Sequence, residues 1–484
     1  MTIAPTRPND SLAGDLAAGT PWPTLTGRGT GHELTVDGIA LIDIAQEYGT
    51  PVQVISEAEV RERSRAYRRA FAGCDVAYAA KAFLTSTMAR WMMEEGLHLD
   101  VCSGGELALA AASGVPMERI LLHGNAKTPQ ELATAHRWGV GRIVVDSRAE
   151  ISQLAALGHS GDGHRRQKVL LRVLPGVVGH THKSVDTGRE DQQFGFSLAS
   201  GAALEAVRRM MSHPELELAG LHCHIGSQIS DLQAYVRAAR AMVGLLVQIR
   251  DLTGIVLPEL DLGGGHAVAY RAGDRELDPA PLAAALRSTV ERECTEAAYP
   301  LPRLVIEPGR AIVARAGVTI YRVINVKRTS DGALFVAVDG GMSDNPRPAL
   351  YDARYTVRLI GRVHSAPTER VTVVGRHCEA GDVLARDADL PGDIRPGDLL
   401  VMLCTGAYQH SMASNYNMVR RAPVVSVRDG RTELLVRRET EDDLMRRDVD
   451  EQPPRGLSRW SGRPIRRRTC WSAVRREIPC RRFR

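Results

Sequence analysis

Between Asp75 and Glu307 the chain alternates eight times between a short apolar run and a longer stretch with helical spacing of its apolar residues. The apolar runs are Val76–Ala80, Leu97–Val101, Ile120–Leu122, Ile143–Val145, Val169–Leu174, Leu218–Cys223, Val256–Leu262 and Leu304–Ile306. Thr128–Trp138 and Leu232–Leu252 are examples of the helical stretches. Eight equivalent units predict a closed parallel (β/α)8 barrel of the TIM type, which commonly takes about 250 residues. A doubly wound open sheet is the alternative, but that fold does not require eight equivalent units.

The pattern changes beyond Gly317, where short valine-rich runs are separated by Gly, Pro and Asp. The runs are Val318–Val326, Leu334–Val338, Thr356–Ile360, Val371–Val374, Asp398–Met402 and Val424–Val427. They predict a C-terminal antiparallel β domain, to which Leu34–Ile42 is expected to add a strand. The predicted segments of this α/β protein are an N-terminal extension (1–33), a strand contributed to the β domain (34–49), the barrel (50–316), the β domain (317–448) and a tail (449–484).

The formal net charge of +5 is distributed unevenly along the chain. Glu451–Arg484 contains eleven Arg and two Glu, a charge of +9, which leaves −4 for the other 450 residues. This segment lacks apolar periodicity and is predicted to be disordered. An accidental extension is favoured over a functional polyanion contact, so nucleic acid is expected as a partner only through non-specific binding by this tail.

Composition places the chain among soluble globular proteins, with 44% hydrophobic and 25% charged residues. The apolar runs are too short to span a bilayer, and Met1–Asp10 lacks the apolar core of a signal peptide. The eight cysteines are scattered, with no CxxC pair, which is typical of reduced thiols. A cytoplasmic enzyme without a membrane segment is therefore expected.

Polar residues follow nearly every predicted barrel strand. They are Lys81, Ser103–Glu106, His123–Asn125, Asp146, Arg172, His224, Gly263–Gly265 and Glu307. Because barrel enzymes build their active sites at the carboxyl ends of the strands, these residues are expected to surround one site.

Lys81 and the glycine-rich segments each have a chemical and a structural interpretation. Desolvation in its apolar surroundings is expected to lower the pKa of Lys81 and make the amine a nucleophile toward an aldehyde, although this segment alone favours a surface lysine that caps a strand. Gly263–Gly265 and Gly309 could bring backbone N–H groups close to a phosphate, and Ser227 could add a hydroxyl donor. Tight turns explain the same residues without a phosphate.

His222 and His224 suggest a second chemistry. Alternate residues of a strand face the same way, so the two imidazoles could bind a metal, as in metal-dependent barrel hydrolases. The sequence offers no compact third ligand, and a cofactor-stacking or core role for His224 is favoured. No metal is therefore expected.

Taken together and in order, the motifs match those of one known family. The matching elements are Tyr78–Ala82, His224–Gln228, Gly263–Gly265, Glu307–Arg310, Met342–Pro348 with Tyr351, His377–Glu379 and Gly406–Tyr408. Through them the chain resembles the fold-type III pyridoxal-phosphate decarboxylases, whose barrel is of the alanine racemase type, over roughly Leu34–Asp448. No single motif is decisive, but their order on one barrel and one β domain is highly specific.

The resemblance implies that pyridoxal 5'-phosphate is the cofactor and that Lys81 bonds to it covalently. It implies that His224 stacks on the cofactor ring and that Glu307 pairs with the pyridine nitrogen, which keeps the ring an electron acceptor. The residues implied to hold or touch the phosphate are Ser227, Gly264, Gly265, Pro308, Gly309, Arg310 and Tyr408. Related racemases have arginine at the position of Glu307, so a glutamate there favours decarboxylation.

The resemblance is strongest to the members of this family that convert meso-2,6-diaminopimelate to L-lysine and CO2, the last step of lysine biosynthesis. This substrate keeps an ammonium and a carboxylate at the end far from the reacting carbon. Arg310, Arg347 and Tyr351 could bind the carboxylate, since a guanidinium forms two parallel hydrogen bonds to it, and Glu379 could bind the ammonium. Decarboxylation of ornithine or arginine is the alternative, although neither has a distal carboxylate.

Cys378 is implied to be the acid that returns a proton after CO2 leaves. In relatives the loop with this cysteine reaches the active site of the neighbouring subunit, so the resemblance implies a homodimer with shared sites. Lys81, His224 and Cys378 are thus the predicted catalytic residues. A buried, inert thiol is the commoner role of a free cysteine and stays open for Cys378.

Overall fold

The computed structural model describes residues 21–29, 33–159, 166–177, 192–364 and 366–449. Contacts divide the chain into two units, Met1–Thr440 and Glu441–Arg484. The described residues of the second unit contain one short helix, Glu441–Met445. Most of the Arg-rich segment predicted to be a disordered tail lies outside the described residues. Within the described part of the chain no helix is long and apolar enough to cross a membrane.

The N-terminal region forms a small antiparallel sheet of its own before the barrel begins. Its strands are β1 (Thr26–Arg28), β2 (Leu34–Val36) and β3 (Ile39–Ala40). They are followed by α1 (Leu41–Tyr48), β4 (Val52–Ser56) and α2 (Glu57–Ala70). The Ser56 hydroxyl accepts the backbone N–H of Glu59, which fixes the turn from β4 into α2.

Eight parallel strands close into the predicted barrel. They are β5 (Asp75–Ala79), β6 (His98–Val101), β7 (Ile120–Leu122), β8 (Arg142–Val145), β9 (Gln167–Leu174), β11 (Leu216–His222), β12 (Glu259–Gly264) and β13 (Arg303–Glu307), with β10 (Phe196–Ser197) added beside β9. The pairing of β13 with β5 and of β8 with β9 closes the ring. The (β/α)8 prediction is confirmed.

Helices follow the strands and cover the outside of the barrel. They are α3 (Ser86–Glu94), α4 (Gly104–Ala112), α5 (Pro129–Trp138), α6 (Arg148–His159), α7 (Ala202–Met211), α8 (Leu232–Thr253) and α9 (Pro279–Glu296). Their boundaries are encoded locally, as α5 illustrates. Thr128 and Glu131 form a reciprocal capping box, Pro129 occupies the first turn, and Gly139 takes the left-handed conformation that ends the helix.

A β domain follows the short helix α10 (Arg310–Val313). Its elements are β14 (Gly317–Arg328), β15 (Leu334–Val338), α11 (Arg347–Tyr351), β16 (Val357–Ile360), β17 (Thr368–Val374), β18 (Val383–Pro391), β19 (Leu399–Leu403), β20 (Val424–Arg428) and β21 (Arg431–Val436). Most pairings are antiparallel as predicted, but β15 pairs in parallel with β17 and β20 in parallel with β4.

The N-terminal strand in this β domain differs from the predicted one. The expectation that Leu34–Ile42 adds a strand is wrong, because the turn at Asp37 and Gly38 folds β2 back onto β3. The strand that enters the sheet is β4, which the prediction placed in the barrel and which pairs with β14 and β20. Every residue of β4 is buried, as expected for a strand covered on both faces.

Candidate active site

A cavity of about 750 Å³ opens at the carboxyl ends of the barrel strands, between the barrel and loops of the β domain. Eight of the predicted site residues line it: Lys81, His224, Ser227, Glu307, Arg310, Arg347, Tyr351 and Tyr408. A smaller adjoining cavity of about 70 Å³ adds Gly265 and Gly309 to this group. The fold therefore brings together residues that are up to 327 positions apart in the sequence.

Lys81 lies in the single turn Ala80–Ala82 that follows β5. Its Nζ is 3.6 Å from Oδ2 of Asp100, a fully buried carboxylate on β6. Burial is the largest single influence and acts to lower the pKa of Lys81, but Asp100 and the neighbouring Cys102, Tyr408 and Glu307 together raise the pKa above its ordinary value. The predicted lowering is wrong for this free side chain: Lys81 is stabilised as an ammonium, and Asp100 is positioned to affect its protonation.

Glu307 ends β13 inside the barrel, where two imidazoles surround its carboxylate. Its Oε1 lies 2.6 Å from Nε2 of His123, and its Oε2 lies 3.4 Å from Nε2 of His222. Burial alone would raise the pKa of Glu307, but these two imidazoles hold it well below its ordinary value. Burial and the neighbouring Glu307 raise the pKa of Asp261, so that Asp261 holds the proton and Glu307 the charge.

The two histidines considered as a metal pair do not act together. His222 is the last residue of β11 and faces Glu307, whereas Nδ1 of His224 accepts the backbone N–H of Gly264 at 3.3 Å. The alternation that would align them ends with the strand at His222. Ligand-type atoms of His123, His222, Asp261 and Glu307 do lie within 4.8 Å of one another. His224 is not part of that group.

The glycines at the ends of β12 and β13 pack too closely against neighbouring atoms to carry a side chain. A Cβ on Gly264 would lie 1.9 Å from the carbonyl oxygen of Glu307, and Gly265 has a φ of +87° with Gly226 O at 1.9 Å from such a Cβ. A Cβ on Gly309 would lie 2.9 Å from Cβ of Ala79. These three positions therefore require glycine, and the 70 Å³ cavity beside Gly265 and Gly309 suits a phosphate.

Pro308 contributes its backbone rather than its ring at the end of β13. Its carbonyl oxygen accepts the backbone N–H of Ala79 at 3.2 Å, which joins the end of β13 to β5. Its predicted contact with the cofactor stays a prediction.

Arg310 and Arg347 are both buried, and neither has a carboxylate within 4.0 Å among the described residues. Arg310 donates from Nη2 to Ser227 Oγ at 2.9 Å and from Nη1 to Tyr270 Oη at 2.5 Å. Arg347 donates from Nη1 to the hydroxyls of Tyr270, at 3.0 Å, and Tyr355. A buried cation held only by neutral acceptors suits an anionic ligand group.

Tyr408 contributes to the site from the β domain with a backbone φ of +62°. Its ring covers the guanidinium of Arg310 at 4.7 Å from the ring centroid. Its backbone N–H donates to the carbonyl of Ala82 at 2.8 Å. Tyr351, the last residue of α11, completes this side of the cavity.

Cys378 and Glu379 do not line the cavity of their own chain. Both are exposed in the loop between β17 and β18. This loop is fixed by Asp382, whose carboxylate accepts the backbone N–H groups of His377 at 2.8 Å and of Met342 at 2.6 Å. The loop held by these hydrogen bonds thus presents the predicted proton donor and the predicted ammonium ligand outward.

The sequence did not reveal three residues that contribute to the geometry, Asp100, Tyr270 and Tyr355, and it gave His123 no specific role. His123 follows a strand end and was visible as a polar residue at the expected edge. The sequence signal for Asp100 was weaker, because it consisted only of one acidic residue within an apolar run. Tyr270 and Tyr355 lie in irregular segments, where no periodic pattern identifies a role.

Comparisons with known proteins identify the family of this chain. Residues 57–314 match the family model described as the pyridoxal binding domain of pyridoxal-dependent decarboxylases. A diaminopimelate decarboxylase of Actinosynnema pretiosum subsp. auranticum is 54% identical over 93% of this chain and 100% of its own length. One from Mycobacterium tuberculosis is 49% identical over 88% of this chain and 97% of its own.

A solved structure agrees with the sequence relatives. The diaminopimelate decarboxylase of M. jannaschii, crystallised with L-lysine, superposes with a TM-score of 0.81 at 31% identity, over 88% of this chain and 98% of that one. The similarity therefore spans most of the barrel and of the β domain. This chain belongs to the diaminopimelate decarboxylase family of pyridoxal-dependent decarboxylases.

Proposed function

We propose that this protein decarboxylates meso-2,6-diaminopimelate to L-lysine and CO2 with pyridoxal 5'-phosphate as its cofactor. The observation that carries the proposal is one cavity that combines the amine of Lys81, the ionised carboxylate of Glu307 and the two buried arginines Arg310 and Arg347. The names of the relatives support the same reaction.

The described residues fit the cofactor. When bound, pyridoxal phosphate supplies an acceptor for the electron pair that departing CO2 leaves behind. Lys81 provides the amine that bonds to it, and Asp100 at 3.6 Å can influence where the proton of that amine resides. Glu307 offers a charged acceptor for a protonated ring nitrogen, and Gly265, Gly309 and Ser227 surround the space suited to its phosphate.

The substrate end of the cavity favours an amino acid with a second carboxylate. Ornithine and arginine would leave Arg310 and Arg347 without an anion in a buried setting, which is costly. The distal carboxylate of diaminopimelate supplies that anion, and Tyr351 lines the same part of the cavity.

We also propose a homodimer in which each chain completes the site of the other. The exposed Cys378 and Glu379 support this arrangement, because both residues lie on a fixed loop and outside their own cavity. In this arrangement Cys378 donates the proton and Glu379 binds the distal ammonium. A cytoplasmic location is proposed as well, supported by the free thiols of the six cysteines in the described residues.

The test is turnover by the purified holoenzyme with meso-diaminopimelate, L-ornithine and L-arginine supplied separately. We expect CO2 and L-lysine from diaminopimelate, and a kcat/KM at least about 100-fold lower for the other two, since each lacks a buried ion pair. Equal turnover of ornithine would replace this proposal with the alternative basic amino acid. A loss of hydrolytic activity on metal chelation, without CO2 release, would favour the metal hydrolase.

A further inference from the structure

Tyr270 lies between the two arginines of the cavity and contacts both. Its hydroxyl oxygen accepts a hydrogen bond from Nη1 of Arg310 at 2.5 Å and another from Nη1 of Arg347 at 3.0 Å. The guanidinium carbons lie 5.8 Å and 4.9 Å from the centroid of its ring. One side chain thus sets the spacing of two cations that come from different domains.

The acceptor is a neutral phenol, and this decides what the arginines can bind. A carboxylate at this position would neutralise a guanidinium, whereas the phenol oxygen orients both groups and leaves both charges uncompensated. The buried Nε of Arg310 has no hydrogen-bond partner among the described residues. Two oriented, uncompensated cations form a site for one anionic group, and a planar carboxylate matches their hydrogen-bonding edges.

Tyr270 is itself held in place independently of the arginines. Its backbone N–H donates to Asp274 Oδ2 at 3.1 Å, and its carbonyl oxygen accepts from Thr356 Oγ1 at 3.1 Å. Its ring meets the ring of Tyr355 edge-on, with centroids 5.2 Å apart. These contacts hold the Tyr270 hydroxyl in place before a ligand binds, so the geometry of this hydroxyl is preorganised.

We propose that Tyr270 is a positioning residue that sets the specificity for a distal carboxylate, by holding Arg310 and Arg347 in the orientation that receives it. The inference rests on the proposed function and deepens it. Tyr270 acts through the two arginines and not on the reacting atoms. Its removal should therefore weaken binding of ligands that carry the distal carboxylate more than it slows the chemical step.

The test is Tyr270→Phe in the holoenzyme, which keeps the ring and removes only the hydroxyl. We expect KM for meso-diaminopimelate to rise about tenfold or more, because two hydrogen bonds to charged groups are lost, while kcat changes less than threefold. L-Lysine retains the distal carboxylate, so its inhibition constant should rise by a similar factor. Cofactor absorbance and thermal midpoint report whether the variant is folded and loaded.

The matched control is Tyr299→Phe. Tyr299 is a buried tyrosine whose hydroxyl bonds to the backbone N–H and carbonyl of Leu257, before β12 begins. Its loss should lower the thermal midpoint and leave KM and lysine inhibition unchanged. Tyr355→Phe is a second comparison, and a smaller rise in KM is expected because Tyr355 is hydrogen-bonded to Arg347 and not to Arg310 among the described residues.

Two results would overturn the assignment. One is a folded, cofactor-loaded Tyr270→Phe whose KM and lysine inhibition constant stay within twofold of the wild type. The other is a rise at Tyr355→Phe as large as that at Tyr270→Phe, which would mean that Arg347 alone sets the specificity. Failure of the wild-type holoenzyme to release CO2 from diaminopimelate would instead contradict the proposed function, and it is seen before any variant is measured.

Discussion

The backbone N–H of Tyr408 donates a hydrogen bond to the carbonyl of Ala82, the residue that follows Lys81, at 2.8 Å. A loop of the β domain is therefore attached directly to the turn that carries Lys81. Tyr408 makes this contact with a left-handed backbone, a conformation that is costly for a tyrosine. The position of Lys81 consequently depends on both domains, although the lysine itself belongs to the barrel.

Lys81→Ala should abolish CO2 release, because no other lysine lines the cavity among the described residues. The near-visible absorbance of lysine-bound cofactor should disappear as well. Lys168→Ala is the control, since Lys168 is largely exposed and pairs only with Glu217 at 3.7 Å among the described residues. Near-normal turnover by Lys81→Ala, measured as CO2 release, would exclude its catalytic role.

Subunit mixing tests whether Cys378 acts in the partner's site. Lys81→Ala and Cys378→Ala proteins should each be nearly inactive, but after random exchange half of the dimers contain one copy of each. One site of such a mixed dimer has both wild-type residues, so about one quarter of wild-type activity should return. Native mass spectrometry checks the exchange. If mixed dimers form and activity does not return, Cys378 does not act in trans.

Arg347→Gln should lower kcat/KM for diaminopimelate by about 30-fold or more, since a buried charge pair with the substrate is lost. Most of the loss should fall on KM. The control Arg395→Lys changes an exposed arginine whose contact with Asp398, at 4.0 Å, is at the limit of an ion pair. An unchanged KM in Arg347→Gln would remove Arg347 from substrate binding.

Glu307→Gln keeps the shape of the side chain and removes its charge. Because the anion of Glu307 is stabilised beside His123 at 2.6 Å, its loss should cut kcat by about 100-fold, the usual cost of one preorganised electrostatic group. The variant should still bind the cofactor, as measured by absorbance. Retention of full kcat would show that the charge does not assist the reaction.

Acid should destabilise the fold partly through His266. Burial lowers the pKa of His266 from 6.5 to about 3, so below pH 6.5 the unfolded chain binds a proton that the folded chain does not. Stability from this group is thus lost as the pH falls from 6.5 toward 3, by about 2 kcal/mol at pH 5 relative to pH 8. His266→Gln should show a smaller fall in urea-unfolding free energy over this range. Equal falls in the two proteins would contradict the assignment.

The barrel could be predicted because strands buried on both faces leave continuous apolar runs. Ile120–Leu122 has the same bounds in the sequence pattern and in the structure. Val383–Pro391 was missed because Arg386, Asp387 and Asp389 interrupt its apolar residues and leave no continuous apolar run. Leu34–Val36 was assigned to the wrong sheet. Local sequence indicates that a segment forms a strand, but it does not indicate which strand is the pairing partner.

The chemistry of the site was only partly predictable, for a related reason. Lys81 and Glu307 could be selected because both follow strands whose ends meet at one edge of the barrel. The direction of the pKa shift of Lys81 could not be predicted, because it depends on Asp100, which lies near Lys81 only in the folded chain. The same holds for Tyr270, whose two arginine partners are 40 and 77 residues away.

The position of β4 has a consequence for how the polypeptide can be assembled. Val52–Ser56 leaves the ribosome early, yet it bridges β14 and β20, and β20 begins roughly 370 residues later. Pairing between strands so distant in the sequence is slow. Until synthesis is nearly finished, β4 therefore lacks its partners and needs protection from pairing with other chains. A fragment that starts at residue 57 or at residue 317 lacks this central strand. The protein therefore cannot be divided into a barrel and a β domain that each fold alone, because a strand from the N-terminal part of the chain lies inside the sheet of the C-terminal domain.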